Sequence, residues 1–304
     1  IEATKPMSIL LMGVDTGNHE RTETWAGNSD SMLVMTINPK TKKTTITSLE
    51  RDILTEIEHD RETIQAKLNA AYQMGGVDLA IPTIEKMLNM KFDHYLLINM
   101  NGLAKLVDSV GGIDVENKLG FPITIQDQET DNQIVIGTGK QHLNGEEALV
   151  YSRMRYQDPE GDYGRQKRQR EVIQAIISKM ISLDGLTNYS EILEAVSTNI
   201  QTDIPLNSNN MMNLLGYKNS LNNIEQFQLE GDDATIAGIS YQIAKADSLL
   251  EIQNRIREEL GEDKVTKLKT NAVINGTSTH KNSEESKTVD SSDDDSYFTY
   301  KKEE

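Results

Sequence analysis

Met7-Ser8-Ile9-Leu10-Leu11-Met12-Gly13-Val14-Asp15 is a short, almost wholly apolar run closed by a carboxylate. A run of this length, stopped by a polar loop, reads as a buried strand that carries Asp15 at its tip. A polar loop from Thr16 to Asp30 follows. Ser31 to Ile37 and Lys43 to Leu49 are again strand-like, and Asn38-Pro39-Lys40-Thr41 between them has the composition of a hairpin turn. Outward from this opening the pattern alternates. Helices are expected over Asn69 to Met74, Asp78 to Leu88, Leu103 to Val110, Gly145 to Tyr151, Tyr163 to Ser182, Tyr189 to Asn199, Asn209 to Lys218 and Lys245 to Leu260. Strands are expected over Phe92 to Met100, Ile113 to Leu119, Ile224 to Leu229 and Thr235 to Ile243. The class is mixed α/β. No linker-like composition splits Lys5 to Gly261, so a single domain over 7–261 is expected.

Composition removes several function classes. The chain has 304 residues, 31 basic against 48 acidic side chains, no cysteine and a net charge of -17. Nucleic-acid binding is disfavoured, because gripping phosphate backbones needs net positive potential and no helix-turn-helix or zinc spacing is present. Without cysteine there are no disulfides, thiolate metal sites or cysteine nucleophiles. Mean hydropathy is -0.53 and no apolar run approaches the ~20 residues needed to span a bilayer. The chain starts at Ile1, and residues 1–6 read as the remnant left after a native start or anchor is removed. Residues 270–304 hold 4 lysines against 8 acids, with Ser283 to Ser296 nearly all Ser, Asp, Glu, Lys and Thr. Such a segment cannot bury enough surface to offset its ordering entropy, and a disordered tail is expected.

The most informative stretch is Arg153-Met154-Arg155-Tyr156-Gln157-Asp158-Pro159-Glu160-Gly161-Asp162-Tyr163-Gly164-Arg165-Gln166-Lys167-Arg168-Gln169-Arg170. It carries six positive and three negative side chains, net +3, within a chain of net -17. Val172, Ile173, Ile176, Ile177 and Met180 form an apolar stripe at helical spacing. Projected backwards, that stripe takes in Arg165 and Gln169, has Arg168 at its margin and leaves Lys167 opposite. A core-facing arginine needs a desolvated anion. In a first helical turn the dipole also favours a negative ligand over another cation. The partner is either a bound anion or a carboxylate of the same loop, such as Asp158 or Asp162. Arg153 and Arg155 alternate about Met154 as on an extended segment, so both can face one side. Several guanidinium groups converging on one place fit a diphosphate better than a single carboxylate.

Asp15 ends one strand and Asp30 precedes the next. Adjacent strands would bring both carboxylates to one sheet edge, where an oxygen-ligated divalent cation, Mg²⁺ or Mn²⁺, is the usual remedy for their repulsion. Ordinary turn chemistry explains them equally well. Arg51-Asp52 closes the strand from Lys43 and is explained by a surface ion pair.

Together these pieces resemble the LytR-CpsA-Psr family of cell-wall enzymes. The matching segments are Ile9 to Asp15, Asn28-Ser29-Asp30-Ser31-Met32, Ile37 to Thr41, Ser48-Leu49-Glu50-Arg51-Asp52 and Lys67-Leu68-Asn69-Ala70-Ala71-Tyr72. Leu106 to Gly112, Gly139 to Gly145 and the arginine stretch to Gln169 follow in family order. The resemblance implies a mixed, largely antiparallel sheet flanked by helices in an α-β-α sandwich. It implies an extracellular domain anchored to the membrane by a single preceding helix. The implied activity is transfer of a polyprenyl-pyrophosphate-linked glycopolymer (teichoic acid, capsule or secondary polysaccharide) onto peptidoglycan as a phosphodiester. By position, Asp15 and Asp30 would bind Mg²⁺. Arg51, Arg153, Arg155, Arg165 and Arg168 would contact the pyrophosphate beside Gln169, with Asp52 and Asp162 in support and an apolar cavity for the lipid. Glu50 departs from the family's usual proline there and should point away from a phosphate.

Phosphoryl transfer depends on charge neutralisation and alignment more than on a protein nucleophile. That agrees with scattered histidines and no convincing Ser/His/Asp triad. A peptidoglycan hydroxyl, expected to be the muramic acid 6-OH, would attack the sugar-side phosphorus with polyprenyl phosphate leaving. Asp162 or a metal ligand is the nominated base. The competing activities are a phosphatase or pyrophosphatase on the same lipid and a non-catalytic polyprenyl-phosphate-binding regulator.

Overall fold

The computed structural model describes residues 3–16, 25–126, 133–183 and 186–274. In place of the single block expected from uniform composition, the chain divides into two compact units. One runs up to Asn99 and resumes at Gln201; the other is the intervening Met100–Ile200. Neither junction has a linker-like composition, which is why the sequence does not announce them.

The first unit opens with β1 (Met7–Val14), β2 (Ser29–Asn38) and β3 (Lys43–Leu49), an antiparallel meander. Its turn follows the expected chemistry: Asn38 Oδ1 accepts the Lys40 and Thr41 N–H groups at 3.0 and 3.3 Å. The strands are buried along nearly their whole length, and the Thr36 and Thr45 hydroxyls pair across β2 and β3. A hairpin of β4 (Leu54–His59) and β5 (Glu62–Lys67) follows, absent from the sequence expectation. It turns through Asp60 and Arg61, both at positive φ, with no glycine to mark it. α1 (Ala70–Leu88) is broken at Gly75 and Gly76, so the two expected helices are both present and Pro82 lies in the first turns of the second. β6 (His94–Asn99) runs parallel to β1.

The second unit contains α2 (Met100–Ser109), β7 (Ile113–Asn117), β8 (Ile123–Gln126), β9 (Gln133–Ile136), β10 (Gly139–Leu143), α3 (Gly145–Arg153), α4 (Asp162–Ser182) and α5 (Leu186–Val196). β7 pairs with β10 and β8 with β9, all antiparallel. Its core joins Val107, Ile113, Leu143, Tyr151, Val172 and Ile176.

The chain then returns to the first unit through β11 (Ile200–Thr202), α6 (Ser208–Leu215) and β12 (Ile224–Gln228). β13 (Gly231–Ile236), β14 (Ile239–Ala244) and α7 (Ala246–Glu259) complete it. The expected strand over 235–243 is therefore a hairpin, reversed at Ala237-Gly238, both at positive φ. The main sheet has the order β11-β6-β1-β2-β3-β12 and is mixed. α1 and α7 cover one face, packing Ile84, Met87, Leu249 and Ile252 over Leu10, Met12 and Val34.

The expected tail starts too early. Ala272 and Ile274 are buried and bridge to Thr55 and Ala244, because this stretch supplies apolar side chains the hairpins can cover. Residues 275–304 lie outside the described residues. Among the described residues no helix is long and apolar enough to cross a membrane.

Candidate functional site

Of the residues singled out from the sequence, Asp15, Asp30, Arg51 and Asp52 belong to the first unit. Arg153, Arg155, Asp162, Arg165, Arg168 and Gln169 belong to the second.

In the first unit, β1 and β2 are antiparallel neighbours paired to their ends, Val14 opposite Ser29, with a register shift at Gly13/Val14. Asp15 and Asp30 therefore stand at one edge. Asp15 is only 5 % exposed. Its backbone N–H donates to Asn28 O at 3.1 Å, and its Oδ1 accepts the Asn28 N–H at 2.8 Å. Gly27 makes this possible: a Cβ there would fall on Asp15 Oδ1 and Thr16 Cγ2. Beside them the buried Asn28 Oδ1 and Ser29 Oγ have no hydrogen-bond partner among the described residues. Tyr72, in α1, donates its hydroxyl to Trp25 O at 2.8 Å, and burial together with the Asp15 charge pushes its pKa up to about 12.

Arg51 is buried at the end of β3, and its Nη1 meets Asp30 Oδ1 at 3.0 Å. Asp52 Oδ2 is 3.9 Å from Arg51 Nε, and its Oδ1 takes Lys67 Nζ at 3.1 Å. Lys67, Asp52, Arg51 and Asp30 thus alternate in charge. This is no surface ion pair: the Lys67 and Arg51 side chains are almost completely buried. Sequence reading gave Lys67 no role, although it opens one of the segments carrying the family resemblance; β5, which holds it, had no strand signal. Glu50 is buried as well.

In the second unit, α4 starts one residue before its expected boundary, and its predicted face is the observed one. Arg165, Arg168 and Gln169 are buried and Lys167 is exposed. Asp162 lies in the first turn, where a carboxylate complements the dipole. Its Oδ1 meets Arg165 Nε at 2.8 Å, and its Oδ2 accepts from Gln166 Nε2 at 2.8 Å. Arg168 pairs through Nη1 with the buried Asp158. It also donates from Nε to Tyr151 O at 3.0 Å and from Nη2 to Met154 O. Gln169 Nε2 donates to Ser152 O at 3.4 Å. These carbonyls belong to the last turn and cap of α3, which no intrahelical N–H can reach, and a cation there complements the dipole. Arg168 and Gln169 therefore fasten the end of one helix to the start of the next.

That fastening corrects the expectation of an extended Arg153-Met154-Arg155. Arg153 is the last residue of α3 and Met154 its cap, fully buried, so only Arg155 has left the helix. Arg155 packs its guanidinium against Tyr156. Burial lowers the pKa of Arg170 to about 10.

Carboxylate-tipped strands in one unit and a guanidinium-rich helix junction in the other mark a mixed α/β protein. The chain belongs to the LytR_cpsA_psr family, whose model matches residues 1–258. It is 53% identical over 276 residues to Biofilm regulatory protein A of Streptococcus mutans, covering 89% of this chain and 68% of that protein. It is 43% identical over 256 residues to the polyisoprenyl-teichoic acid–peptidoglycan teichoic acid transferase TagU of Enterococcus faecalis, covering 84% of this chain and 80% of the relative. The crystal structure of protein gbs0355 from Streptococcus agalactiae superposes with a TM-score of 0.83 at 52% identity, covering 89% of this chain and 93% of that one.

Proposed function

We propose that this protein transfers a polyprenyl-diphosphate-linked glycopolymer onto peptidoglycan, forming a phosphodiester and releasing polyprenyl phosphate. Family membership and the likeness to a TagU transferase support this reading. The observation that carries it is the cationic surplus of 153–170, net +3 within a chain of net -17. Asp158, Asp162 and Glu160 are each met by a cation of the same segment, Arg168, Arg165 and Lys167. The acids of the segment are thus engaged within it, and its net charge as a whole is +3. A polyvalent anion such as a diphosphate suits that surplus.

In this reading Arg153, Arg155 and Arg165 hold the diphosphate and stabilise the charge gathering on the leaving phosphate; for Arg51 a phosphate contact is supported by the family resemblance alone. Arg168 and Gln169 are positioning residues, since their donors hold the end of α3. Asp162 orients Arg165; its engagement by two donors favours that role over general base. Asp52 and Lys67 set Arg51. An acceptor hydroxyl of peptidoglycan attacks the sugar-side phosphorus. The family resemblance also supports a place at the outer face of the membrane, with an anchor ahead of residue 1.

The donor set at Asp15 and Asp30 fits Mg²⁺, with Mn²⁺ as a substitute. All its atoms are hard oxygens, and Asn28 Oδ1 and Ser29 Oγ, buried with no partner among the described residues, belong to the two residues that precede Asp30 in the chain. Among the described residues no three acidic or histidine side chains cluster as a metal cage. A two-carboxylate site of this kind relies on water and substrate phosphate for its remaining ligands. Bound there, Mg²⁺ would neutralise phosphate charge as a Lewis acid.

Arg165→Ala and Asp30→Ala should each lower transfer of labelled glycan to peptidoglycan by about 10² to 10⁴. Wild-type rates in both would overturn the reading, and mass spectrometry showing release of free glycan phosphate despite acceptor would replace transfer with hydrolysis.

A further inference from the structure

Tyr156 stands in the middle of the basic segment with 60% of its surface in solvent. The central carbon of the Arg155 guanidinium lies 4.9 Å from its ring centre, and Arg155 Nη2 donates to the Tyr156 hydroxyl at 3.3 Å. The ring is thus held by a cation–π contact and a hydrogen bond while much of it stays wet. Its chain neighbours Gln157, Pro159 and Glu160 are exposed too, so its own stretch of chain offers no apolar run to a lipid tail. An aromatic face with a hydroxyl at its rim and a guanidinium at its side is amphipathic. It matches a pyranose, whose C–H groups stack on a ring and whose hydroxyls take donors from its edge.

A diphosphate grip cannot tell one glycopolymer from another, because every carrier lipid presents the same phosphates. Discrimination needs a group just beyond them. A guanidinium bonded to a phosphate oxygen sits about 3 Å from it. The Tyr156 ring centre, 4.9 Å from that guanidinium, is within reach of the sugar esterified to the phosphate. Resting on the transferase reading above, we propose that Tyr156 stacks on the sugar bonded directly to the diphosphate, so that the Arg155–Tyr156 pair reads phosphate and first sugar together.

Calorimetric titration of the full chain with two probes tests this: farnesyl diphosphate, and the same molecule carrying N-acetylglucosamine on its terminal phosphate. Wild type should bind the sugar-bearing probe about tenfold more tightly. Tyr156→Ala should abolish that difference while leaving farnesyl diphosphate within about twofold of wild type, and Tyr156→Phe should preserve it. Equal weakening of both probes by Tyr156→Ala, no weakening of either, or no preference in wild type would overturn the stacking role and leave the transferase reading standing. Wild type that binds neither probe would overturn the transferase reading itself.

Discussion

Removing the Asp158 carboxylate should loosen the junction on which Arg153 and Arg155 are mounted. The side chains of Arg168 and Asp158 are 7% and 4% exposed, and Asp158 Oδ1 also accepts the Glu160 N–H at 2.8 Å. Deleting one member of a buried pair strands the other charge, at a cost of about 3–5 kcal/mol. Arg168 keeps the carbonyls of Tyr151 and Met154, which places Asp158→Ala at the low end, about 3 kcal/mol. Asp158→Asn can keep the bond from Glu160 on its one oxygen but then turns its NH2 group against Arg168 Nη1, donor to donor, so its cost should match that of alanine, about 3 kcal/mol. Urea unfolding followed by far-UV circular dichroism should show the midpoint falling by about 1 M for both variants. Gly164→Ala offers an independent route to the same result, because a Cβ at Gly164 would occupy the position of Asp158 Oδ2. If Asp158→Ala and Gly164→Ala both unfold within about 0.5 kcal/mol of wild type, the brace is not what holds this junction.

Three further outcomes are expected. Gly27→Ala drives a methyl onto Asp15 Oδ1, so the Mg²⁺ concentration needed for half-maximal transfer should rise about tenfold; an unchanged magnesium titration would remove Asp15 from the metal site. Tyr72 binds its proton more tightly when folded, with a pKa of about 12 against 10.0 when free. Its contribution is therefore complete below pH 10 and is lost as pH rises towards 12, by roughly 3 kcal/mol at most. Tyr72→Phe should flatten the alkaline stability profile, and an identical slope would refute the assignment. Asn144 and Glu147 form a capping box at the start of α3; Asn144→Ala should cost about 1 kcal/mol in denaturant unfolding, whereas no loss would show that α3 is held only from its far end.

Much of the framework was legible because its signals are local. The apolar run ending at Asp15, the Asn38 turn and the stripe from Val172 to Met180 each specify an element within a few residues, and the structure has all three. The β4–β5 hairpin was not legible. Its strands mix charged and apolar residues and it reverses through Asp60-Arg61, so neither alternation nor turn composition stands out. With that hairpin went Lys67, whose burial beside Asp52 depends on it.

By itself, the sequence determined the surplus of cations between Arg153 and Arg170 and which side of α4 they occupy, since helical periodicity places residues on a face without reference to the rest of the chain. It left open whether a buried guanidinium there meets a ligand or a carboxylate of its own loop. Tertiary structure decided that Arg168 takes Asp158 and the carbonyls ending α3, and that Arg165 takes Asp162. The physical reason is desolvation: a charge removed from water must pair with whatever acceptor the packing brings within reach, and which acceptor that is depends on where two helices end in space.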